Sequence, residues 1–500
     1  MQVFLTGATL AFLTPLMLVW INPGMANVKI WLSVVTLLWL VVWRYKHRLS
    51  GALQEAVPTR TLAILAAAAL ILFAARGALD YQAFKVSGLD FSVFDLALYN
   101  SAHGRFMWTP MCDCNHFGIH PTYILLPLIG VYAVMASPWT LIILHAVATW
   151  SAALPLWHLA RRHLPSDALA ALVLVAYFSN PWVGSIVGYG FHMEVFYLPA
   201  GLWFLWGWTN NRPWIWITSL IVFLSVKEDS AFYMAAFSLY SLWQESARRL
   251  AAAAILIASL TLFCVNSLVV QPHFQTPGEP PSYLTFWAPY GHTLGEIAKT
   301  MLTSPWRVMK DVLTSQWYLM FGSALFLPLL APHAVVAMLP AMVILGTSAV
   351  SPMRHYGLYY SAPLIPFFFW GLVTSYSRLA KRFAPQKAAL IFAGATLLLP
   401  FTRNGSIILT PPRSELSAEL QDIIDTHPDF DRPVCAQLSL VPHLPYSWDV
   451  KRLSAECLGL PGAVALGHAG LSPYPYDTAT ISGFFAGSTP LPAGLLVRGW

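Results

Sequence analysis

The stretch LDFSVFDLALYNSAHGRFMWTPMCDCNHFGIHP, residues 89–121, is strongly polar and stands near the start of an otherwise apolar sequence. A bilayer tolerates few ionisable side chains, so we expect this segment to lie outside the membrane as a long loop. Long loops in compact proteins are usually functional or disordered, and the recurring Phe91, Phe94, Leu98 and Tyr99 favour order. Its ionisable residues are Asp90, Asp95, His103, Arg105, Asp113, His116 and His120.

The composition is that of a membrane protein. The 500 residues are 57% hydrophobic and 10% charged, with a mean hydropathy of +0.59, whereas soluble domains carry about 25% charged residues. We therefore predict an all-α polytopic membrane protein. The net charge of +6 is spread over short basic clusters, which argues against nucleic-acid binding. Residues 1–20 lack a basic start and a small-residue cleavage site, so they predict a retained helix and not a cleaved signal.

Basic residues orient the apolar runs. RYKHR, at 44–48, follows the second run and predicts a cytoplasmic end there. Alternation from this point gives about thirteen spans, with the N-terminus inside and the C-terminus outside the cytoplasmic (inner) membrane. The run 123–135 is short and contains Pro127, so we expect it to lie in the interface; if it spanned, Arg161 and Arg162 would fall outside, against the positive-inside rule.

Three regions follow from this topology. They are an N-terminal membrane hairpin, 1–60; a transmembrane domain, 61–404, with an outer loop at 79–137; and a small α/β extracytoplasmic domain, 405–500. In the last region Ser414 predicts the start of an amphipathic helix, and 434–441 has a β-rich composition. The five cysteines do not form a disulfide framework, although Cys435 and Cys457 could pair if the tail lies outside.

Four polar groups from distant parts of the chain fall on the same membrane face in this topology. They are the loop 89–121, His192 with Glu194, the Lys-Glu-Asp sequence 227–229, and the Arg-His-Tyr sequence 354–356. Ionisable residues at the membrane boundary are costly to place and usually functional. Their convergence is the strongest physical sign of a site in the sequence.

Each group also has a structural interpretation. Asp90 and Asp95 could cap and solvate a surface helix, and residues 227–229 could form a self-neutralising turn. Arg354 and His355 could anchor the chain at the interface, and His192 with Glu194 could form one buried pair. The cysteines and histidines of C-x-C-x-H-x₃-H, at 112–120, are spaced too tightly for the usual structural zinc site.

Together these residues resemble a family of bacterial multi-pass membrane proteins that looks related to the GT-C superfamily of glycosyltransferases. The resemblance runs from about residue 80 to the end, and Ser92 and Leu96 depart from the Gly and Gln of the family pattern. It is carried by the segments 89–96, 99–105, 116–121, 191–194, 227–229, 355–356, 434–436 and 442–444.

The resemblance implies a GT-C-like fold and a sugar transferase that uses a polyprenyl-phosphate sugar lipid at the outer membrane face. It implies Asp90, supported by Asp95, as catalytic base, since a carboxylate can remove the proton of an attacking hydroxyl. The acid could instead hold a divalent metal; no other cofactor is implied. Membrane lipids and an unidentified acceptor are the further partners, and no nucleic acid is expected. The implied substrate-binding residues are His103, Arg105, His120, His192, Glu194, Lys227, Glu228, Arg354, His355 and Tyr356.

Positive groups must meet the lipid phosphate, and Lys227, Arg354 and Arg105 are the candidates by charge type. Two other functions remain open. A transporter would favour charges at mid-membrane, whereas these charges lie near span ends, which favours the enzyme. A non-catalytic scaffold with the same fold, recruiting partners through its tail, is compatible with the sequence.

Overall fold

A computed structural model describes residues 53, 56–275, 282–399, 409–427, 431–488 and 490–499 of the chain. The predicted N-terminal hairpin, 1–60, therefore lies almost entirely outside the described residues. The predicted fold class is confirmed in the part that is described, because a long series of helices is followed by one small mixed sheet.

The membrane domain is a series of helices joined by short turns. Many of them begin with proline in the first turn, where its missing N–H is one of the donors that a helix start leaves unpaired. In chain order the helices are α1 (Thr59–Gln82), α2 (Gly88–Ala102), α3 (His116–Ile119), α4 (Leu126–Val134), α5 (Pro138–Ser151), α6 (Ala153–His163), α7 (Asp167–Phe178), α8 (Pro181–Val187), α9 (Tyr197–Thr209), α10 (Pro213–Leu224), α11 (Ser230–Gln244), α12 (Arg249–Val265), α13 (Gln271–Phe274), α14 (Leu294–Thr303), α15 (Pro305–Thr314), α16 (Trp317–Gly322), α17 (Pro332–Gly346), α18 (Ser351–Arg354), α19 (Ile365–Arg382) and α20 (Pro385–Leu398).

Within the described residues, three helical stretches are long and apolar enough to cross a membrane: Thr59–Gln82, Pro138–His163 and Ser246–Phe274. The pair α7 and α8, bent by 47°, makes a fourth if it is one span. Prolines and short turns divide the other apolar runs into shorter helices, such as α10 with 12 residues. The predicted total of about thirteen spans stays a prediction.

The run 123–135 forms a short 3₁₀ turn, Tyr123–Leu125, followed by the nine residues of α4. Nine helical residues extend about 14 Å, less than half of the hydrocarbon core of about 30 Å. This run is thus too short to cross the bilayer alone. Helix α4 packs against α2 and leaves Val134 89% exposed, while its predicted place in the interface stays a prediction.

Helix α19 forms the centre of the bundle, and nearly all of its first half is buried. It packs against α6, α9, α17 and α20. The approach of α9 is close, since a Cβ at Gly201 would lie 2.6 Å from the ring of Pro366. Dense packing of this kind fixes the helix ends from which the polar groups project.

The segment 89–121 is ordered, as the sequence predicts, but its first part is the helix α2 and not a loop. After α2 the chain forms an antiparallel hairpin of β1 (Trp108–Thr109) and β2 (Cys114–Asn115). Cys112 and Cys114 form a disulfide at its turn, because two cysteines separated by one residue can reach each other there. Their sulphurs are therefore not metal ligands, and in the described parts of the chain no three His, Cys, Asp or Glu side chains are arranged to hold a metal.

The C-terminal region folds as a mixed sheet flanked by helices. Its order is β4-β3-β5-β6, in which β3 is parallel to β4 and β5, and β6 is antiparallel to β5. Cys435 and Cys457, whose pairing the sequence left open, form a disulfide. The elements are α21 (Ser414–Thr426), β3 (Val434–Ala436), β4 (Val450–Arg452), α22 (Ala455–Leu458), β5 (Val464–His468), α23 (Thr478–Phe484) and β6 (Leu495–Arg498).

This C-terminal domain docks on the start of α2. Phe84 and Met111 are buried in one apolar cluster with residues of the sheet, including Val434. The Tyr81 hydroxyl donates to the carbonyl oxygen of Pro442 at 3.0 Å. The contact is close enough that a Cβ at Gly88 would lie 2.1 Å from the carbonyl oxygen of Leu438.

We expect Gly88→Ala to lower the thermal stability of the full chain, because the added methyl overlaps backbone that cannot rotate away. Overpacking of this kind costs about 1–3 kcal/mol. Tryptophan fluorescence during heating of the detergent-solubilised protein measures the effect. Gly130→Ala in α4 is the matched control, since a Cβ there meets nothing within 4 Å. Equal melting temperatures for the two variants would contradict this account of the docking contact.

Candidate functional site

Five polar side chains from four separate segments meet near helix ends, and we call them the central cluster: Asp90, His120, Glu194, Lys227 and Glu228. Asp90 lies in the first turn of α2 and His120 directly follows α3. Glu194 is in the 3₁₀ turn Met193–Phe196 before α9, and the last two members are in the turn between α10 and α11. Three of the four polar groups that the sequence analysis placed together thus contribute to this cluster, and the group Arg354 to Tyr356 is not among them.

Among the carboxyl groups of the central cluster, that of Asp90 is partly accessible and also has a shifted pKa. The first turn of a helix favours a carboxylate, and Asp90 stands there, half-buried. The Tyr189 hydroxyl donates to its Oδ2, and Ser87 donates to the Tyr189 oxygen at 3.0 Å. Burial raises the pKa of Asp90, while the hydrogen bond from Tyr189 and the positive charge of Lys227 limit the rise. A carboxylate with a raised pKa is a better proton acceptor.

Lys227 supplies the fixed positive charge of the cluster. Its Nζ lies 3.0 Å from Glu194 Oε1. Burial alone would lower the pKa of Lys227, but the neighbouring carboxylates, Glu194 first, raise it. Lys227 is therefore an ammonium ion. An ammonium group has three donors, so one hydrogen bond to Glu194 leaves capacity for another acceptor.

Glu228 is paired with His120, whose Nδ1 lies 2.8 Å from Glu228 Oε1. Burial would raise the pKa of Glu228, but the interactions with His120 outweigh it and the pKa is lowered. Its second oxygen, Oε2, is buried and accepts no hydrogen bond from the described residues. A buried acceptor of this kind is costly unless something donates to it.

Two neighbours hold this arrangement in place. His192 stacks on Tyr359 with ring centroids 3.4 Å apart, and burial lowers its pKa well below the ordinary value, so the ring is neutral. Asp229 accepts hydrogen bonds from the hydroxyls of Tyr197 and Tyr233, both at 2.7 Å. These contacts fix the turn that presents Lys227.

Asp95 occupies a different environment. It is 3% exposed, and its Oδ1 accepts hydrogen bonds from Tyr132 at 2.6 Å and Tyr446 at 2.9 Å. Tyr446 belongs to the C-terminal domain, so this carboxyl group joins α2, α4 and the tail. Burial raises the pKa of Asp95 to about 7, against the two hydrogen bonds. Its predicted supporting role in catalysis stays a prediction.

The other predicted substrate-binding residues lie in two further places. His103 packs on Tyr99, and the guanidinium of Arg105 lies 3.5 Å from the ring centre of Trp108. Arg354 donates to Thr314 at 3.0 Å.

The two residues that follow Arg354 contact serines. His355 lies 3.4 Å from the hydroxyl of Ser351, and Tyr356 lies 3.5 Å from that of Ser315. These hydrogen bonds do not join Arg354, His355 or Tyr356 to the central cluster, and their roles in binding stay predictions.

Sequence reasoning missed the tyrosines that hold the carboxylates. Tyr189 could have been found, because it lies three residues before His192 in the sequence. Tyr446 carried no such sign, since it reaches Asp95 across 351 positions of the chain. Tyrosine is common near membrane interfaces, which conceals this second role.

Asp95 makes a pH-dependent contribution to stability. Its pKa is about 7 in the folded protein and 3.8 ordinarily, so stability is lost as pH rises from about 4 to 7. Asp95→Asn cannot ionise. We expect the variant to match the wild type near pH 3.5, below both pKa values, and to melt on the order of 2 °C or more higher at pH 8, measured by thermal unfolding in detergent.

Asp422→Asn is the control for this experiment, because Asp422 is exposed on α21 and should show no difference at either pH. A wild type that is less stable than Asp95→Asn near pH 3.5, or equally stable at pH 8, would contradict the assignment.

Comparisons with known proteins place the chain in a family. No curated protein matches the sequence. The crystal structure of ArnT from Cupriavidus metallidurans bound to undecaprenyl phosphate aligns with a TM-score of 0.49 and 11% identity, covering 88% of this chain and 98% of that chain. A similarity of this degree does not extend to function. Residues 80–442 match one family model, which is more than half of the 500 residues, and the protein therefore belongs to the DUF2079 family of predicted membrane proteins.

Proposed function

We propose that this protein is a GT-C-like glycosyltransferase that moves a sugar from a polyprenyl-phosphate carrier to an acceptor hydroxyl. The observation that carries the proposal is the placement of Asp90, a half-buried carboxyl group with a raised pKa, close enough to Lys227 for their charges to interact. A proton acceptor and a cation are what this transfer needs on either side of the reacting carbon.

In the proposed reaction the acceptor oxygen attacks the anomeric carbon of the donor sugar, and its proton passes to Asp90. The bond between that carbon and the phosphate oxygen breaks, and the lipid phosphate leaves with the electron pair. Lys227 stabilises the negative charge that develops on the phosphate. Because no described residues form a metal-ligand set, no step is assigned to a metal.

The proposed orientation places the outer loop and the C-terminal domain on the outer side of the cytoplasmic membrane, with the N-terminus inside. The two disulfides support it, since Cys112–Cys114 lies in the loop and Cys435–Cys457 in the tail. Disulfides persist in oxidising compartments and are rare in the cytosol.

A non-catalytic scaffold is the second candidate, and one observation favours it. Lys227 already has a carboxylate partner in Glu194, and paired networks of this kind also occur where no reaction takes place. In a scaffold, the charge of Lys227 would serve only to pair with Glu194. In the proposed transferase, Lys227 binds the lipid phosphate.

We expect Asp90→Asn to fold normally and to lose transfer by on the order of a hundredfold or more, the usual contribution of a general base. The assay is transfer of labelled sugar from a polyprenyl-phosphate donor by purified protein. Asp113→Asn is the matched control, because Asp113 is an exposed acid in the same loop. Wild-type transfer by Asp90→Asn would place the base elsewhere.

The role of Lys227 is tested with a variant that keeps the buried charge balanced. Lys227→Met alone would strand the carboxylate of Glu194, which is strongly destabilising. Lys227→Met combined with Glu194→Gln removes both charges. We expect this double variant to keep its melting temperature and to bind a short-chain polyprenyl phosphate at least about tenfold more weakly.

Arg354→Met is the comparison for the double variant. We expect a smaller loss of affinity from it, because the observed hydrogen bond of Arg354 is to Thr314 outside the central cluster. Unchanged lipid affinity in the double variant would favour the scaffold over the transferase.

A further inference from the structure

A cleft lies between the end of α2 and the C-terminal domain, apart from the central cluster. Its volume is about 220 Å³, smaller than the range of about 300–1,000 Å³ that is typical for drug-sized ligands. One wall comes from α2 and the β1–β2 hairpin, and the other from residues 441–450. Its polar and aromatic lining includes Tyr99, Asn100, Arg105, Trp108, Tyr446 and Asp449.

Aromatic rings form much of this lining. Tyr99 and Tyr446 stack with ring centroids 4.4 Å apart and planes at 8°. Trp108 is half-buried, and the guanidinium of Arg105 lies over it at 3.5 Å. Tyr99 and Arg105 each cover one face of Tyr446 and of Trp108, respectively. The second face of a flat ring packs against the C–H groups of a sugar ring while leaving its hydroxyls at the edge.

The polar groups of the cleft have both signs. Arg105 is an exposed donor and Asp449 an exposed acceptor, and Lys451 lies 3.4 Å from Asp449. A phosphate only accepts hydrogen bonds and would leave Asp449 without a new donor, and an apolar ligand would leave both charged groups without new partners. A ring bearing several hydroxyls can accept from Arg105 and donate to Asp449, because each hydroxyl does both.

We propose that this cleft binds a sugar ring. About ten residues of α2 separate Asp90 from Asn100, which corresponds to about 15 Å along the helix. The bound ring is thus remote from the reacting hydroxyl. It belongs to a larger carbohydrate acceptor whose distant part is held by the C-terminal domain, and such remote binding supports the reaction by positioning the acceptor.

The identification of the bound sugar as part of an acceptor rests on the proposed transferase function, whereas the binding of a sugar in the cleft does not. The test therefore measures binding without any lipid donor. Saturation-transfer NMR on the full-length protein, in a detergent that contains no sugar, uses maltotriose, mannotriose, galactotriose and triacetylchitotriose as probes. Inorganic phosphate is added in a separate titration.

We expect saturation to pass from the protein to the ring protons of at least one trisaccharide, and affinity to fall about tenfold or more in Arg105→Gln and in Asp449→Asn, the scale of a lost hydrogen bond to a charged group. Both side chains are exposed, so the variants keep the fold. Trp108→Ala should abolish the signal. Trp306→Ala is the control and should leave the signal unchanged, because the Trp306 ring is 76% exposed and does not line the cleft.

The proposal would be overturned if no saturation passed to any of the four trisaccharides, or if the wild type and both polar variants gave equal signals. Competition by phosphate would also overturn it. If sugars bind and Asp90→Asn proves active, the cleft stands and the transferase assignment fails. If the protein transfers sugar from the lipid donor but no trisaccharide binds, the transferase assignment stands and the cleft proposal fails.

Discussion

The burial of charge in an apolar bundle is the constraint on which the rest of this structure depends. An ionised group away from water needs a partner of opposite charge or several hydrogen bonds. Glu194 has Lys227, Glu228 has His120, and Asp229 has two tyrosine hydroxyls. Each pair joins different segments, so satisfying the charges also fixes the relative positions of the helix ends. Asp90 accepts a hydrogen bond from Tyr189 and is half-buried, as are Lys227 and Asp229.

Helix α2 connects the two candidate sites of the molecule. Its first turn carries Asp90, its middle carries Asp95, and its end with the following hairpin forms one wall of the cleft. Asp95 is bonded to Tyr446 of the C-terminal domain. A ligand that moved Tyr446 would therefore change the environment of the same helix that presents Asp90. Reciprocity requires that occupancy near Asp90 also affect binding in the cleft, if the two are coupled.

Much of the fold and part of the candidate site could be predicted from the sequence. The apolar runs, the polar loop 89–121 and the β-rich tail indicated the helical membrane domain and the small sheet, since hydropathy and local propensity are properties of the sequence itself. The meeting of Asp90 with Lys227 was also predicted, because topology placed both on one face. The partners of Asp95 were not, as hydrogen bonds between distant tyrosines and acids leave no periodic signal. Short helices divided by prolines likewise obscure the count of spans.

The contact between α2 and the last part of the chain has a consequence for how the protein is made. At about 5–20 residues per second, the ribosome takes on the order of tens of seconds to cover the 351 positions between Asp95 and Tyr446. During that interval Phe84 and Met111, which the finished protein buries against the sheet, have no partner. The contact between the membrane domain and the C-terminal domain therefore forms late in synthesis. A nascent chain at this stage exposes an apolar patch that lipid or a chaperone has to shield until the C-terminal domain is made and folded.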